Sequence, residues 1–188
     1  MTIDNRIQVV LIDDDPHLRQ ALGQTLDLAG LKILPLSEAK GLAAQLERDW
    51  PGVVVSDIRM PGMDGLELLS ELHAQDPELP VLLITGHGDV PLAVQAMRAG
   101  AYDFLEKPFA SDALLDSVRR ALALRRLVLD NRSLRMALSD RHERTVATAR
   151  QIVQCTGDNF FAGAGFAKDQ HIGLGRGQGA DLLAQSQH

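Results

Sequence analysis

Residues 7–16 read IQVVLIDDDP: an apolar run, Val9-Val10-Leu11-Ile12, ends in three acids, Asp13, Asp14 and Asp15, and then a proline. The run suits a strand buried on both faces, and Pro16 suits the first turn of a helix. The same device recurs along the chain. Asp57 follows Val53-Val54-Val55-Ser56, Thr85 follows Val81-Leu82-Leu83-Ile84, and Lys107 lies just past the run 101–105. Ligands of open parallel sheets gather beyond the carboxyl ends of the strands. If these runs are neighbouring strands, five polar groups from distant segments meet in one pocket. Three carboxylates make a hard oxygen site of the kind Mg²⁺ takes, and a hydroxyl and an ammonium beside them suit a phosphoryl group. The constellation predicts phosphoryl chemistry on a carboxylate.

Working outward, strand-like and helix-like segments alternate five times, the pattern of βα units and a parallel sheet. The expected strands are 7–12, 31–36, 52–56, 80–85 and 101–105. Between them, 16–29 reads as a helix closed near Gly30, and Ser37 reads as the N-cap of a second helix running to about Arg48. Helices are also expected at 66–75 and 90–98. Right-handed crossovers place helices on both faces, giving a doubly wound α/β sheet of flavodoxin-like order 2-1-3-4-5.

Composition narrows the class. At 188 residues and 45% hydrophobic, the chain can bury one full core and carry extra segments. A single cysteine, Cys155, excludes an internal disulfide and fits a reducing compartment. The first residues do not form a signal peptide, and no run approaches the roughly 20 apolar residues of a membrane span, so a soluble cytoplasmic protein is expected. The net charge of −6 is uneven: residues 1–110 carry 8 basic and 17 acidic side chains, whereas 111–150 carry 9 arginines against 5 acids. The acidic first part is a poor partner for nucleic acid, and direct DNA binding by this chain is not expected.

The fifth helix, capped by Ser111, does not stop where a crossover helix should. No proline or glycine occurs from 112 to about 150, and Leu124, Leu127, Asn131, Leu134 and Leu138 follow a 3-4-3-4 repeat. Asparagine at one a-type position in a leucine seam favours a parallel homodimer in fixed register. The alternative is a single amphipathic helix packed on its own domain. After Cys155, seven of the sixteen glycines fall within 151–188, and the periodicity fades. The expected organisation is a globular domain over 1–123, a coiled-coil linker over 124–150 and a disordered tail over 151–188.

Asp13-Asp14, SDIRMPGMDG around Asp57, TGHGD from Thr85 and KPF from Lys107 resemble the receiver domain of bacterial two-component response regulators, over about residues 5–123. The phrases SDIRMPGMDGLELL, LITGHGDVPLAVQAMRAGAYDF and LVLDNRSLR resemble more narrowly the sigma-54 activators of that family. In those, the fifth helix extends into a coiled coil leading to an ATPase and then a helix-turn-helix domain. Here the resemblance ends near Arg141, and the 188 residues contain no GxxxxGK[ST] phosphate loop. A truncated or frame-shifted gene would give such a tail.

The resemblance implies that a sensor histidine kinase phosphorylates Asp57. It implies Mg²⁺ held by Asp14, Asp57 and the backbone carbonyl of Arg59, with Asp13 acting through water. Asp15 then opens the first helix. Lys107 acts as a mobile positive charge at the acceptor, with Pro108 suggesting a cis peptide. Thr85 bonds the attached phosphoryl group, and Phe104 is the aromatic that turns inward with it; Tyr102 is the competing aromatic. The face made by the fourth and fifth helices and the fifth strand is expected to change. The protein is therefore not an enzyme beyond its own phosphorylation and dephosphorylation.

Rival readings are a stand-alone phosphate sink or relay shuttle, and a Mg²⁺-dependent phosphohydrolase, which no added lid or substrate domain supports. His142-Glu143-Arg144-Thr145 is similar to the phospho-acceptor helix of histidine kinases but lacks its leucine and proline. His87 sits at the expected pocket rim. Arg119-Arg120 and Arg125-Arg126 read as a solvated helix face.

Overall fold

The computed structural model describes residues 2–86 and 90–163. Five strands, β1 (Val9–Ile12), β2 (Ile33–Leu36), β3 (Val53–Asp57), β4 (Val81–Thr85) and β5 (Asp103–Glu106), form one parallel sheet in the order β2-β1-β3-β4-β5. The helices are α1 (Pro16–Leu28), α2 (Gly65–Gln75), α3 (Val90–Arg98) and α4 (Ser111–Gly163). The expected doubly wound order is the observed one.

The three central strands are buried along their whole length, which is why they read as unbroken apolar runs rather than alternating ones. β2 and β5 are the edges and are only partly buried, and the exposed Pro35 sits in edge strand β2, where a missing N–H is tolerated. One face of the sheet packs Val10, Ile12, Val54, Val81 and Leu83 against Leu68, Leu69 and Leu72 of α2 and Ala96 of α3. The other packs Val9, Leu11, Val55, Leu82 and Ile84 against Leu22 and Leu26 of α1 and Leu114, Val118 and Ala121 of α4. Among the described residues, no helix is long and apolar enough to cross a membrane.

The helix expected from Ser37 to Arg48 is not formed. The segment holds only one 3₁₀ turn, Ala43–Gln45, and no side chain caps its start. Gly41 has φ +75°, a left-handed conformation that ends any right-handed helix and costs glycine little. Ala39, Leu42, Leu46 and Trp50 are nevertheless buried. Their helix-like spacing therefore marked a core-facing segment, not a helix.

A second difference concerns Arg125. Arg119, Arg120 and Arg126 are exposed as expected of a solvated face, but Arg125 has no exposed surface. It donates from Nε to the Trp50 carbonyl at 2.9 Å, and from Nη2 to the Arg48 carbonyl at 2.8 Å and to Asp76 Oδ2 at 2.6 Å. Arg132, two turns on, donates to Asp76 Oδ1 at 2.5 Å, Glu78 Oε2 at 2.6 Å and Asp49 Oδ1 at 2.9 Å. Contacts between α4 and the sheet-bearing domain thus continue past residue 123 to Arg132. Residues 151–163, expected in the tail, are helical. Extending an existing helix avoids the cost of nucleation, so poor formers can be carried along it. The rest of the tail lies outside the described residues, as does His87, and the side chain of His142 is not described.

Candidate functional site

Four of the five strands, all but the edge strand β2, deliver one polar group each to the carboxyl edge of the sheet. Asp13 follows β1, Asp57 and Thr85 are the last residues of β3 and β4, and Lys107 follows β5. Parallel pairing sets their level: Asp57 lies beside Ile84, and Thr85 beside Glu106. The Lys107 N–H donates to the Thr85 carbonyl at 2.7 Å, which continues the ladder one residue beyond β5. The Lys107–Pro108 peptide is cis, as the resemblance implied.

Lys107 Nζ donates to Asp57 Oδ1 at 2.6 Å and to Asp13 Oδ2 at 3.1 Å. The remaining carboxylate oxygens take backbone donors: the Arg59 N–H reaches Asp57 Oδ2 at 3.0 Å, and the Asp15 N–H reaches Asp13 Oδ1 at 2.9 Å. Both acids are buried, at 1% exposure for Asp13 and 6% for Asp57. Burial pushes the Asp57 carboxyl above its ordinary range; Lys107 opposes this shift, and the charge of Asp13 adds to it. Burial alone would lower the Lys107 ammonium, but its bonds to Asp57 and Asp13 outweigh that and raise it. Two carboxylates against one ammonium leave the contact with an excess negative charge.

Thr85 is 1% exposed, and its Oγ1 has no hydrogen-bond partner among the described residues. A buried hydroxyl left in this way costs about 1–3 kcal/mol, so the site stands ready for an oxygen-bearing ligand. Phe104 is half-buried and packs on the α2/α3 face of the core, whereas Tyr102 packs on the α1/α4 face. The two aromatics that compete in the sequence are thus separated by the sheet.

Of the expected site residues, Asp13, Asp57 and Lys107 are in direct contact, with Thr85 at the neighbouring strand end. Asp14 is exposed, and Asp15 caps α1 by accepting from the His17 and Leu18 N–H groups. Among the described residues, no three acidic, histidine or cysteine side chains gather as a metal cluster. The donor set still fits Mg²⁺ in chemistry: hard oxygens, two of them on buried carboxylates whose charge Lys107 does not fully cancel. Asp14 and the Arg59 carbonyl are the additional oxygens that the sequence offers.

One positioning feature escaped the sequence reading. Gly65 opens α2 directly after the N-cap Asp64, and its N–H donates to the Ile58 carbonyl at 2.9 Å. A Cβ on Gly65 would lie 2.7 Å from the Asp57 carbonyl oxygen and 2.9 Å from the Ile58 Cα, both backbone atoms. Only glycine lets α2 start this close to Asp57. The signal was present as the last glycine of MPGMDG, read there as part of a motif and not as a close approach.

Comparison with known proteins agrees with this geometry. Residues 9–119 match the family model of the response regulator receiver domain. The C4-dicarboxylate transport transcriptional regulatory protein DctD of Pseudomonas aeruginosa is 75% identical over 140 residues, covering 74% of this chain and 30% of the relative. DctD of Rhizobium meliloti is 57% identical over 129 residues, covering 69% and 28%. The chain therefore spans less than a third of the length of these relatives. The structure of the response regulator StyR superposes with a TM-score of 0.70 at 35% identity, over 79% of this chain and 75% of that one. With the matched residues spanning the strands and the Asp13–Asp57–Lys107 contact, this chain belongs to the response regulator receiver domain family.

Proposed function

We propose that this chain is a phospho-accepting switch in which a sensor histidine kinase donates a phosphoryl group to Asp57. The observation that carries the reading is the ammonium of Lys107 shared between the buried Asp57 and Asp13, with a Thr85 hydroxyl at the adjoining strand end that has no partner among the described residues. In the transfer, an Asp57 carboxylate oxygen forms a bond to phosphorus while the bond from phosphorus to the kinase histidine nitrogen breaks, and that nitrogen keeps the electron pair. Asp57 is a weak nucleophile held where solvent is scarce, so the work of the surroundings is positioning and charge balance. Mg²⁺, held by Asp13, Asp14, Asp57 and the Arg59 carbonyl, would neutralise charge on the phosphoryl oxygens. Lys107 supplies a second positive charge, and Thr85 Oγ1 donates to a phosphoryl oxygen.

An attached phosphoryl group carries about −1.5 to −2 of charge where the free carboxylate carried one unit, and its three oxygens draw Lys107 and Thr85 toward it. Phe104 then follows Thr85, and the face formed by α3, β5 and the first part of α4 repacks. The context is transcription control of the sigma-54 activator type, in the cytoplasm, with a homodimer formed through α4. Leu127, Leu134 and Leu138 are 67%, 65% and 65% exposed, and Asn131 is exposed with them. At about 100° per residue this seam lies roughly 140° around the helix from the face bearing Leu114, Val118 and Arg125, so docking to the sheet leaves it open.

The test is labelling by acetyl phosphate with Mg²⁺. Asp57→Asn should abolish the acid-stable, base-labile label, because the amide does not attack phosphorus. Labelling of the variant at the normal rate would place the acceptor elsewhere.

A further inference from the structure

Asp76 joins two elements that the site chemistry does not use together. It is the C-cap of α2, its N–H bonded to the Leu72 carbonyl at 2.9 Å, and it is 2% exposed. Its Oδ2 accepts from Arg125 at 2.6 Å and Arg132 at 3.0 Å, and its Oδ1 from Arg132 at 2.5 Å and the Glu78 N–H at 3.1 Å. Arg132 therefore grips both carboxylate oxygens, the two-pronged geometry that fixes angle as well as distance. At its other end, α2 begins at Gly65 in backbone contact with the Asp57–Ile58 segment. One rod of 11 residues, about 16 Å long at 1.5 Å per residue, thus runs from the backbone of Asp57 to an ionic clamp on α4.

We propose that Asp76, Arg125 and Arg132 clamp α2 to α4, so that α4 as far as Arg132 follows the position of the Asp57–Ile58 segment at the end of β3. The clamp itself lies ahead of β3 and β4, at the amino edge of the sheet, whereas Thr85 ends its strand at the carboxyl edge. The apolar packing of α4 on the sheet ends at Ala121 among fully buried residues, and Arg125 and Arg132 hold the roughly three turns beyond it. Those turns carry Leu124, Leu127 and Asn131, so the clamp decides whether the first half of the exposed seam moves with the receiver or frays from it. Arg125 further ties the carbonyls of Arg48 and Trp50, which lie ahead of β3. The clamp therefore also braces the strand that ends in Asp57.

Hydrogen exchange on the full chain tests the clamp without any phosphorylation. Arg132→Ala leaves the buried Arg125–Asp76 pair in place and keeps the fold. It should speed amide exchange over residues 126–139 by roughly tenfold or more, the size of losing charge-assisted bonds, while residues 114–121 and the central strands stay unchanged. Arg132→Lys, which keeps the charge but not the fork, should give an intermediate value. Unchanged exchange over 126–139 in Arg132→Ala would overturn the clamp. A second arm rests on the acceptor role of Asp57. Acetyl phosphate with Mg²⁺ should alter exchange over 126–139 in the native chain, and Arg132→Ala should keep the Asp57 label but lose that response. A label with a full response in the variant would overturn the coupling, and a native chain without label would refute only the acceptor reading.

Discussion

The two edges of the sheet are built from the same ingredients in opposite proportion. At the carboxyl edge, one cation, Lys107, serves two buried acids, Asp13 and Asp57. At the amino edge, one buried acid, Asp76, is served by two cations, Arg125 and Arg132. Burial and the second acid leave Asp57 above its ordinary range, whereas at Asp76 burial is outweighed by the hydrogen bonds from Arg132 and Arg125, which hold its carboxyl at about 2. Among the described residues each edge also leaves buried polar atoms without a partner, Thr85 Oγ1 at the first and Arg125 Nη1 and Trp50 Nε1 at the second, so what differs is the charge balance. The difference is one of charge: the carboxyl edge keeps an excess of acid over cation, and the amino edge neutralises its buried acid within the chain.

The comparison breaks most visibly if Asp76 is removed. Asp76→Ala leaves the buried Arg125 guanidinium without its counter-ion and should cost about 3–5 kcal/mol in urea unfolding. A loss below about 1 kcal/mol would mean that the amino edge is no tighter than a surface pair.

Acid is the next lever. Because the folded carboxyl of Asp76 sits at about 2, below its usual 3.8, its contribution to stability is complete above about pH 4 and fades as pH falls through 2. That contribution is about 2 kcal/mol, read as the difference in acid unfolding between the native chain and Asp76→Asn. Asp57 has the reverse sign: its raised carboxyl means that ionisation opposes folding, and protonation on acidification relieves the strain.

Asp57→Asn should consequently leave the unfolding free energy unchanged or raise it by up to about 1 kcal/mol, while abolishing phosphorylation. Destabilisation by more than that would show the carboxyl edge to be a fastening as well. The smallest effect concerns the seam. If α4 pairs with a second copy, Asn131→Leu should raise the thermal midpoint at fixed protein concentration, by a few degrees for a gain on the order of 1 kcal/mol. A monomeric native chain at tens of micromolar in sedimentation would remove the seam from the account.

The carboxyl edge was legible in the sequence because each contributor is local: an apolar run announces a strand, and the site residue follows its last apolar residue by one or two positions. Asp13, Asp57, Thr85 and Lys107 could each be placed without knowing the others. The amino edge had no such signal. Arg125 meets Trp50 and Arg48 across 75 and 77 positions and Asp76 across 49, and within α4 it resembles its exposed neighbour Arg126. Charge on a helix says nothing of a distant acid waiting for it. The segment after β2 misled in the other direction: Ala39, Leu42, Leu46 and Trp50 have the spacing of a helix face, but Gly41 turns left-handed among them. Periodicity reports which residues face the core, and the backbone conformation is a separate matter.

Pro35 in β2 has an effect on how molecules of this protein meet. A parallel sheet open at both margins invites lateral growth, since each unpaired strand can template another. At the β2 margin the pyrrolidine ring replaces a donor in the middle of a four-residue strand, so an incoming chain would find a broken ladder. Association along that margin is discouraged at any concentration, and encounters between copies are left to surfaces that recognise side chains.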